Sequence, residues 1–247
     1  MRLLVINANT SSFVTDRVAA EARRVAVPDT EIVPVTGTFG GRVIGTRTEN
    51  AIGEHSAVAL AAEHAPGCDA VLIAVSYDTG LRALREMLPI PVVGMTEAAL
   101  LTGCMVAGRM GVIVFGARVL PLYRELVASY GLNGRIAGWR AIDSSAPYGS
   151  GDQSEVEREL VATIDDLVER DYAEAVLLSG AVMAGVPRRL QERAAVPLLD
   201  GVTCGVRQAE LLVRLGLPKP TAGSYAAPPA RELVDVNPAI GRWFRGV

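Results

Sequence analysis

Three landmarks of this chain recur once, in the same order and at nearly constant spacing. Leu4-Val5-Ile6 returns as Val112-Ile113-Val114, Ala70-Val71-Leu72-Ile73 as Ala175-Val176-Leu177-Leu178, and Ile90-Pro91-Val92-Val93 as Val196-Pro197-Leu198-Leu199. Counted from Val5/Val112, Val71/Val176 and Pro91/Pro197, the offsets are 107, 105 and 106. An ordered set at one spacing points to an internal repeat, so the chain builds two similar lobes instead of one continuous core. Each landmark is a short Val/Ile/Leu run without alternation, the pattern of a strand buried on both faces of a parallel sheet.

Extending that pattern predicts strands at 2–7, 31–36, 69–75, 91–94, 110–115, 136–142, 174–179 and 197–199. Amphipathic segments predict helices at 11–25, 49–65, 80–87, 97–107, 118–130, 153–169, 185–194 and 202–215. Strands alternating with helices give an α/β fold with parallel sheets, four strands to a lobe. The first lobe is assigned to 1–96 plus 217–247 and the second to 97–216. The tail from 217 carries five prolines, has no counterpart in the repeat, and is expected to return to the first lobe.

Composition removes several function classes. Half of the 247 residues are apolar, which suits a buried core, and the formal charge of −3 gives no electrostatic footprint for nucleic acid. Three widely spaced cysteines, Cys68, Cys104 and Cys204, make neither a disulfide framework nor a zinc site. No apolar run reaches the ~20 residues of a membrane span, and the apolar opening is shorter than that of a secretory signal. A cytoplasmic chain is expected, with no membrane partner.

In open α/β sheets ligands bind beyond the carboxyl ends of the strands. If two lobes face each other, their strand-end loops line one cleft. After the first strand, Asn9, Thr10 and Ser11 set amides and hydroxyls just before a helix, where backbone N–H groups and the helix dipole suit an anion. They equally suit a plain helix cap. After the third strand come Ser76, Tyr77 and Asp78, a donor to an oxyanion, an acid or donor, and an orienting carboxylate that also suits a helix cap. Thr96 is placed as an N-cap, with Glu97 in the first turn behind it. Arg118, at a helix start, opposes the dipole, and holds either a substrate carboxylate or a surface ion pair. Ser179 and Gly180 open a small, apolar loop suited to close backbone approach. Thr203 and the thiol of Cys204 follow the last strand at a helix N-terminus, which favours thiolate unless the cysteine is an inert core residue. His55 and His64 are nine residues apart on one predicted helix, hence on opposite faces. That disfavours a Ser-His-Asp triad and a histidine metal site, and no Walker loop or strand-linked GxGxxG supports a nucleotide cofactor.

The ordered pieces LLVINANTS, DTGL at 78–81, PVVGMTEAAL at 91–100, VMAG at 182–185 and PLLDGV at 197–202 resemble the aspartate/glutamate racemase superfamily, most closely its hydantoin/allantoin racemase branch. The resemblance implies two similar flavodoxin-like lobes with parallel four-stranded sheets, related by a pseudo-twofold, with the active-site cleft between them. It also implies a cofactor-independent enzyme, a small-molecule substrate and a homo-oligomer. In that family two cysteines, one per lobe, take and return the proton of the substrate's acidic carbon. The first lies three residues before the Asp of the DxGL motif, which is Val75 here. The second lies three residues before the Met of the MAG motif, which is Gly180 here. Neither carries a proton.

The resulting expectation is a racemase-like isomerase acting at an acidic carbon of a small carboxylate or hydantoin-like cyclic amide, with acid/base groups other than cysteine at those two positions. Ser76, Tyr77, Asp78, Ser179 and Cys204 are the candidate catalytic groups. Asn9, Thr10, Ser11, Val75, Thr96, Arg118, Gly180 and Thr203 are the candidate binding groups, and no metal is expected. The alternatives are a decarboxylase or lyase of the same fold and a non-catalytic binding protein.

Overall fold

The computed structural model describes residues 1–142 and 153–244, so that 245–247 of the tail fall outside it. The chain divides into two compact units, one of Met1–Gly94 with Val206–Val247 and one of Met95–Gly205. Each holds a four-stranded, all-parallel sheet covered by helices, the α/β fold the periodicity predicts.

In the first unit the strands are β1 (Arg2–Asn7), β2 (Glu31–Thr36), β3 (Ala70–Ile73) and β4 (Val92–Gly94), ordered β2-β1-β3-β4. β1 is central, and Leu3 to Ile6 are at most 1% exposed. That is why its sequence is a continuous apolar run. Pro34 has no N–H to give a ladder, and it stands in β2, at the sheet edge. The covering helices are α1 (Ser12–Val25), α2 (Arg47–His64) and α3 (Leu81–Met87). Val14, Val18, Ala22 and Val25 of α1 recur at helical spacing and are buried.

The second unit repeats the scheme. Its strands β5 (Met110–Phe115), β6 (Ile136–Ile142), β7 (Ala175–Leu178) and β8 (Leu198–Leu199) are ordered β6-β5-β7-β8. Its helices are α4 (Met95–Val106), α5 (Leu120–Ser129), α6 (Ser154–Asp171) and α7 (Val186–Leu190), and α8 (Gly201–Leu215) follows β8. Val156, Leu160, Ile164 and Leu167 of α6 form one buried stripe, packed with Ile113, Val176 and Leu178 of the sheet.

Most boundaries lie within one or two residues of the expectation, and three of the differences change how a segment begins or ends. The helix predicted from 97 begins at Met95, so Thr96 lies inside its first turn and is no N-cap. The helix predicted from 118 opens as a 3-10 turn, Ala117–Val119, and α5 starts only with Leu120-Pro121, where proline presets the first helical turn. The segment 185–194 ends its α-helix at Leu190 and continues as a 3-10 turn.

The Pro-rich tail is fixed to the first unit by specific polar contacts. Lys219 Nζ donates to the carbonyls of Arg85, Glu86 and Leu88 at 2.8, 2.8 and 2.9 Å, which covers the exposed carbonyl end of α3. Ahead of the tail, buried Glu210 of α8 accepts from Val27 N and Thr30 Oγ1 at 2.8 and 2.9 Å. A short α9 (Pro238–Arg242), which the periodicity missed, buries Ala239 and Ile240, and Asn237 Oδ1 caps it by accepting from Ala239 N at 2.9 Å. Lys219→Met removes three charge-assisted bonds while keeping the stem. We expect a loss of about 1–2 kcal/mol in urea unfolding.

Candidate functional site

Strand register sets where chemistry can gather. Asn7 pairs with Thr36, Ile6 with Ile73, and Ile73 with Gly94, so the carboxyl ends of the first sheet share one edge. The β1–α1 turn there is organised by Asn7, 1% exposed. Its Nδ2 lies 3.0 Å from Asn9 Oδ1, 3.1 Å from Ser11 O and 3.0 Å from Thr15 Oγ1. Thr15 Oγ1 in turn lies 2.7 Å from Thr36 Oγ1. Asn9 Oδ1 also accepts from Ser11 N at 2.9 Å. The carboxamide oxygen of Asn9 is therefore spent inside the turn, while its NH2 stays outside this network.

Ser11 is the N-cap of α1 by position, but its hydroxyl makes no capping bond, and the first turn carries no acidic residue. The early N–H groups of α1 therefore have no side-chain cap, the condition under which a helix start accepts an anion. Thr15 and Thr36, which brace this turn, were not singled out from the sequence. The spacing of Thr15 from Ser11 (i, i+4) was the available signal.

Val75, 5% exposed, gives the turn after β3 an apolar lining. Its carbonyl accepts from Asp78 N at 2.9 Å, which closes the turn that holds Ser76 and Tyr77. Asp78 is buried with φ +49°, a left-handed conformation that Asp tolerates better than most residues. A Cβ on Gly94 would lie 2.5 Å from Asp78 Cγ, so the carboxylate sits directly over the end of β4. The N-cap of α3 is Gly80, not Asp78 or Thr79. Thr79 Oγ1 donates to Asn50 Oδ1 at 2.7 Å. Burial, helped by the Glu49 charge, pushes the Tyr77 phenol up to about 12, so it is a proton donor and not a base at neutral pH. Ser76 beside it is half-buried, and Thr96 is buried in the first turn of α4.

In the second unit, Ser179 follows β7 with its N–H donating to Ile113 O at 2.9 Å. Its hydroxyl is buried and has no hydrogen-bond partner among the described residues. Gly180 has φ +123° and ψ +132° and accepts Met183 N at 2.9 Å through its carbonyl. A Cβ there would find only ordinary contacts, at 3.7 Å to Met183 and Val182, so space is available but the backbone conformation disfavours any side chain.

Thr203 and Cys204 stand in surroundings that an open helix start would not give. Thr203 Oγ1 donates to Asp200 Oδ2 at 2.8 Å and Thr203 N to Asp200 Oδ1 at 2.8 Å, so this hydroxyl serves the start of α8. Cys204 is 7% exposed, and burial pushes its thiol up to about 12 against a hydrogen bond with Thr102. Desolvation, with the Asp200 charge adding to it, keeps the thiol protonated at neutral pH. Arg118 is exposed on its 3-10 turn. Among the described residues no His/Cys/Asp/Glu group is arranged to hold a metal, and no helix is long and apolar enough to cross a membrane.

Comparison with known proteins gives a consistent set. The family model described as Asp/Glu/Hydantoin racemase matches residues 3–209. A hydantoin racemase of Pseudomonas sp. (strain NS671) is 33% identical over 98% of each chain. The solved allantoin racemase from Klebsiella pneumoniae superposes with a TM-score of 0.89 at 32% identity, covering 94% of this chain and 96% of that one. An allantoin racemase from Pseudomonas fluorescens superposes at 0.80 with 32% identity, covering 95% and 100%.

Two predictions follow from the geometry. Gly180→Cys should lose about 1–3 kcal/mol in thermal or urea unfolding, whereas Val75→Cys, which needs no unusual φ, should lose less than half as much. Tyr77 and Cys204 have raised folded values, so the folded state keeps protons that the unfolded chain releases. Their contribution is whole below the ordinary values of 9.0 and 10.0 and is lost as pH rises towards about 12. The urea midpoint should hold from pH 7 to 8.5 and then fall, less steeply in Cys204→Ala.

Proposed function

The chain belongs to the Asp/Glu/hydantoin racemase family, and from that membership we propose that it is a cofactor-independent isomerase acting at the acidic carbon of a hydantoin-like cyclic amide or small carboxylate. The observation that carries this reading is the β1–α1 turn. Its Asn7 network positions the Asn9 NH2 and leaves the α1 N–H groups without a side-chain cap, as donors for the substrate's carbonyl or carboxylate oxygens. The step takes the proton from carbon, places the electron pair on the adjacent carbonyl oxygen, and returns a proton to carbon. Tyr77, neutral below about 12, and Ser76 suit hydrogen bonding to that oxygen. Asp78 is the carboxylate of the same loop and the candidate base, and Ser179 is the hydroxyl candidate of the second unit. Cys204, held protonated, is no base at neutral pH.

A second reading has its own support. Val75 and Gly180 carry no ionisable group, while Asn9, Ser76 and Tyr77 offer hydrogen-bond donors. Loss of carbon dioxide from a carboxylate substrate yields such an enolate without a base, and Tyr77 or a water then supplies the proton to carbon, so a decarboxylase or lyase fits that inventory. The deciding experiment incubates the protein with optically pure 5-benzylhydantoin or allantoin in deuterium oxide and follows the acidic proton by NMR, with optical rotation in parallel. Exchange above the buffer rate with loss of rotation is expected, reduced about a hundredfold in Tyr77→Phe. Ligand-induced thermal stabilisation without exchange would replace the isomerase by a binding protein.

A further inference from the structure

A cavity of about 230 Å³ opens in the first unit where the tail meets the amino end of β4. One wall is the turn from α3 into β4, with Pro89 and Pro91. The other is the end of α8 and the start of the tail, with Leu212, Leu217 and Tyr225. Pro218 and Pro220 stand on either side of Lys219 in that second wall. β4 runs from Val92 to Gly94, and the Asp78 carboxylate sits over Gly94. The cavity is thus at the opposite end of the strand from the candidate base.

The lining states what it can hold. Proline has no N–H to offer, and Tyr225 adds a flat ring, so most of the wall is rigid and apolar. A cavity of about 150 Å³ already takes a benzene ring, so this one admits a ring with a short side chain. Among the described residues that line it are two cations, Arg85 and Lys219, and no carboxylate. Both cations are held in place, Lys219 by the three carbonyls at the end of α3 and Arg85 by its Nε, which donates to Val92 O at 3.0 Å. Burial lowers the Lys219 pKa against the opposing charge of Glu86, so a further negative group beside the ammonium is favourable. Leu217 is 66% exposed and Tyr225 37%, so a ligand reaches the cavity from solvent and covers apolar surface there. Leu211 and Leu215 of α8 are exposed too. A two-fold contact centred here, however, would set Arg85, Lys219 and the exposed Arg214 of one copy against their own counterparts. Charge complementarity therefore selects a small anion with an apolar body over a second copy of the chain.

We propose that this cavity is a second ligand site, separate from the candidate active edge, for a small aromatic monocarboxylate whose ring lies against the proline and tyrosine walls and whose carboxylate faces Arg85 and Lys219. The site is independent of the reaction assigned in the preceding subsection.

Titration of the full chain with phenylacetate, phenylacetamide and acetate, followed by amide NMR shifts, tests it. Phenylacetate should move signals of residues 85–92 and 212–225 with a Kd of about 1 mM. Phenylacetamide keeps the ring without the charge and should bind about tenfold more weakly, and acetate keeps the charge without the ring and should leave those signals in place. Leu217→Glu sets a carboxylate on the exposed side of the lining and should weaken phenylacetate at least about tenfold. Tyr225→Ala should weaken it several-fold, and Leu217→Met should retain it. Equal affinity for the amide, unaltered affinity in Leu217→Glu, or shifts confined to the β1–α1 turn would each overturn the proposal, as would the absence of any shift. An increase of mass in light scattering that Leu217→Glu abolishes makes the cavity a contact between copies of the chain and overturns it equally.

Discussion

The carboxamide of Asn7 is the contact on which the first unit's ligand edge depends. It sits at the last residue of a strand whose preceding four side chains are at most 1% exposed, so it enters the interior with no water to satisfy it. Such a group must find partners or cost on the order of 1–3 kcal/mol. It finds them in Asn9, Ser11 and Thr15, and in doing so fixes both the exit of β1 and the entry of α1. The main chain at Asn7 and Asn9 then accepts the N–H of Gly37, so the β2 exit is set by the same turn. A hydrophobic strand, a polar terminus and a helix start are coupled through one amide.

The architecture was legible because it follows from period and burial. The apolar runs, the repeat offset and the alternation of strands with helices all point to parallel strands covered by helices, and the two sheets have the same order. The boundaries slipped where one residue overrules the pattern. Met95 enters α4 directly from β4 and places Thr96 inside the helix, and Pro121 delays α5 behind a 3-10 turn. The helix α9 escaped because its five residues are shorter than a periodicity window, although Asn237-Pro238 carried a cap signal.

For the candidate residues, position along the fold was legible and chemistry less so. Asn9, Ser11, Ser76, Tyr77 and Ser179 follow strands and so stand at carboxyl ends, which strand prediction alone provides. Their protonation depends on burial, which the sequence does not state. Cys204 shows the limit. Helix position argues for a thiolate, but the side chain is 7% exposed, and removal of water together with the Asp200 charge holds the thiol protonated. Thr203 shows another, since Asp200 three residues earlier takes its hydroxyl, a pairing that resembles a capping box and was readable as one. Thr15 and Thr36 matter through partners on other elements, and no local window displays them.

Gly180 carries the argument furthest. A cysteine replaced by serine or alanine leaves a backbone to which the thiol could return by one substitution. Here the residue holds φ +123°, a region that side-chain-bearing residues rarely occupy, although a Cβ would meet nothing closer than 3.7 Å. The obstacle is therefore torsional and not steric. The turn after β7 takes a path that favours glycine, and the neighbouring Ser179 hydroxyl is buried and unpartnered among the described residues. Such an atom persists when a ligand or a water completes it. Backbone and hydroxyl at this edge are groups suited to holding an oxygen and not to moving a proton.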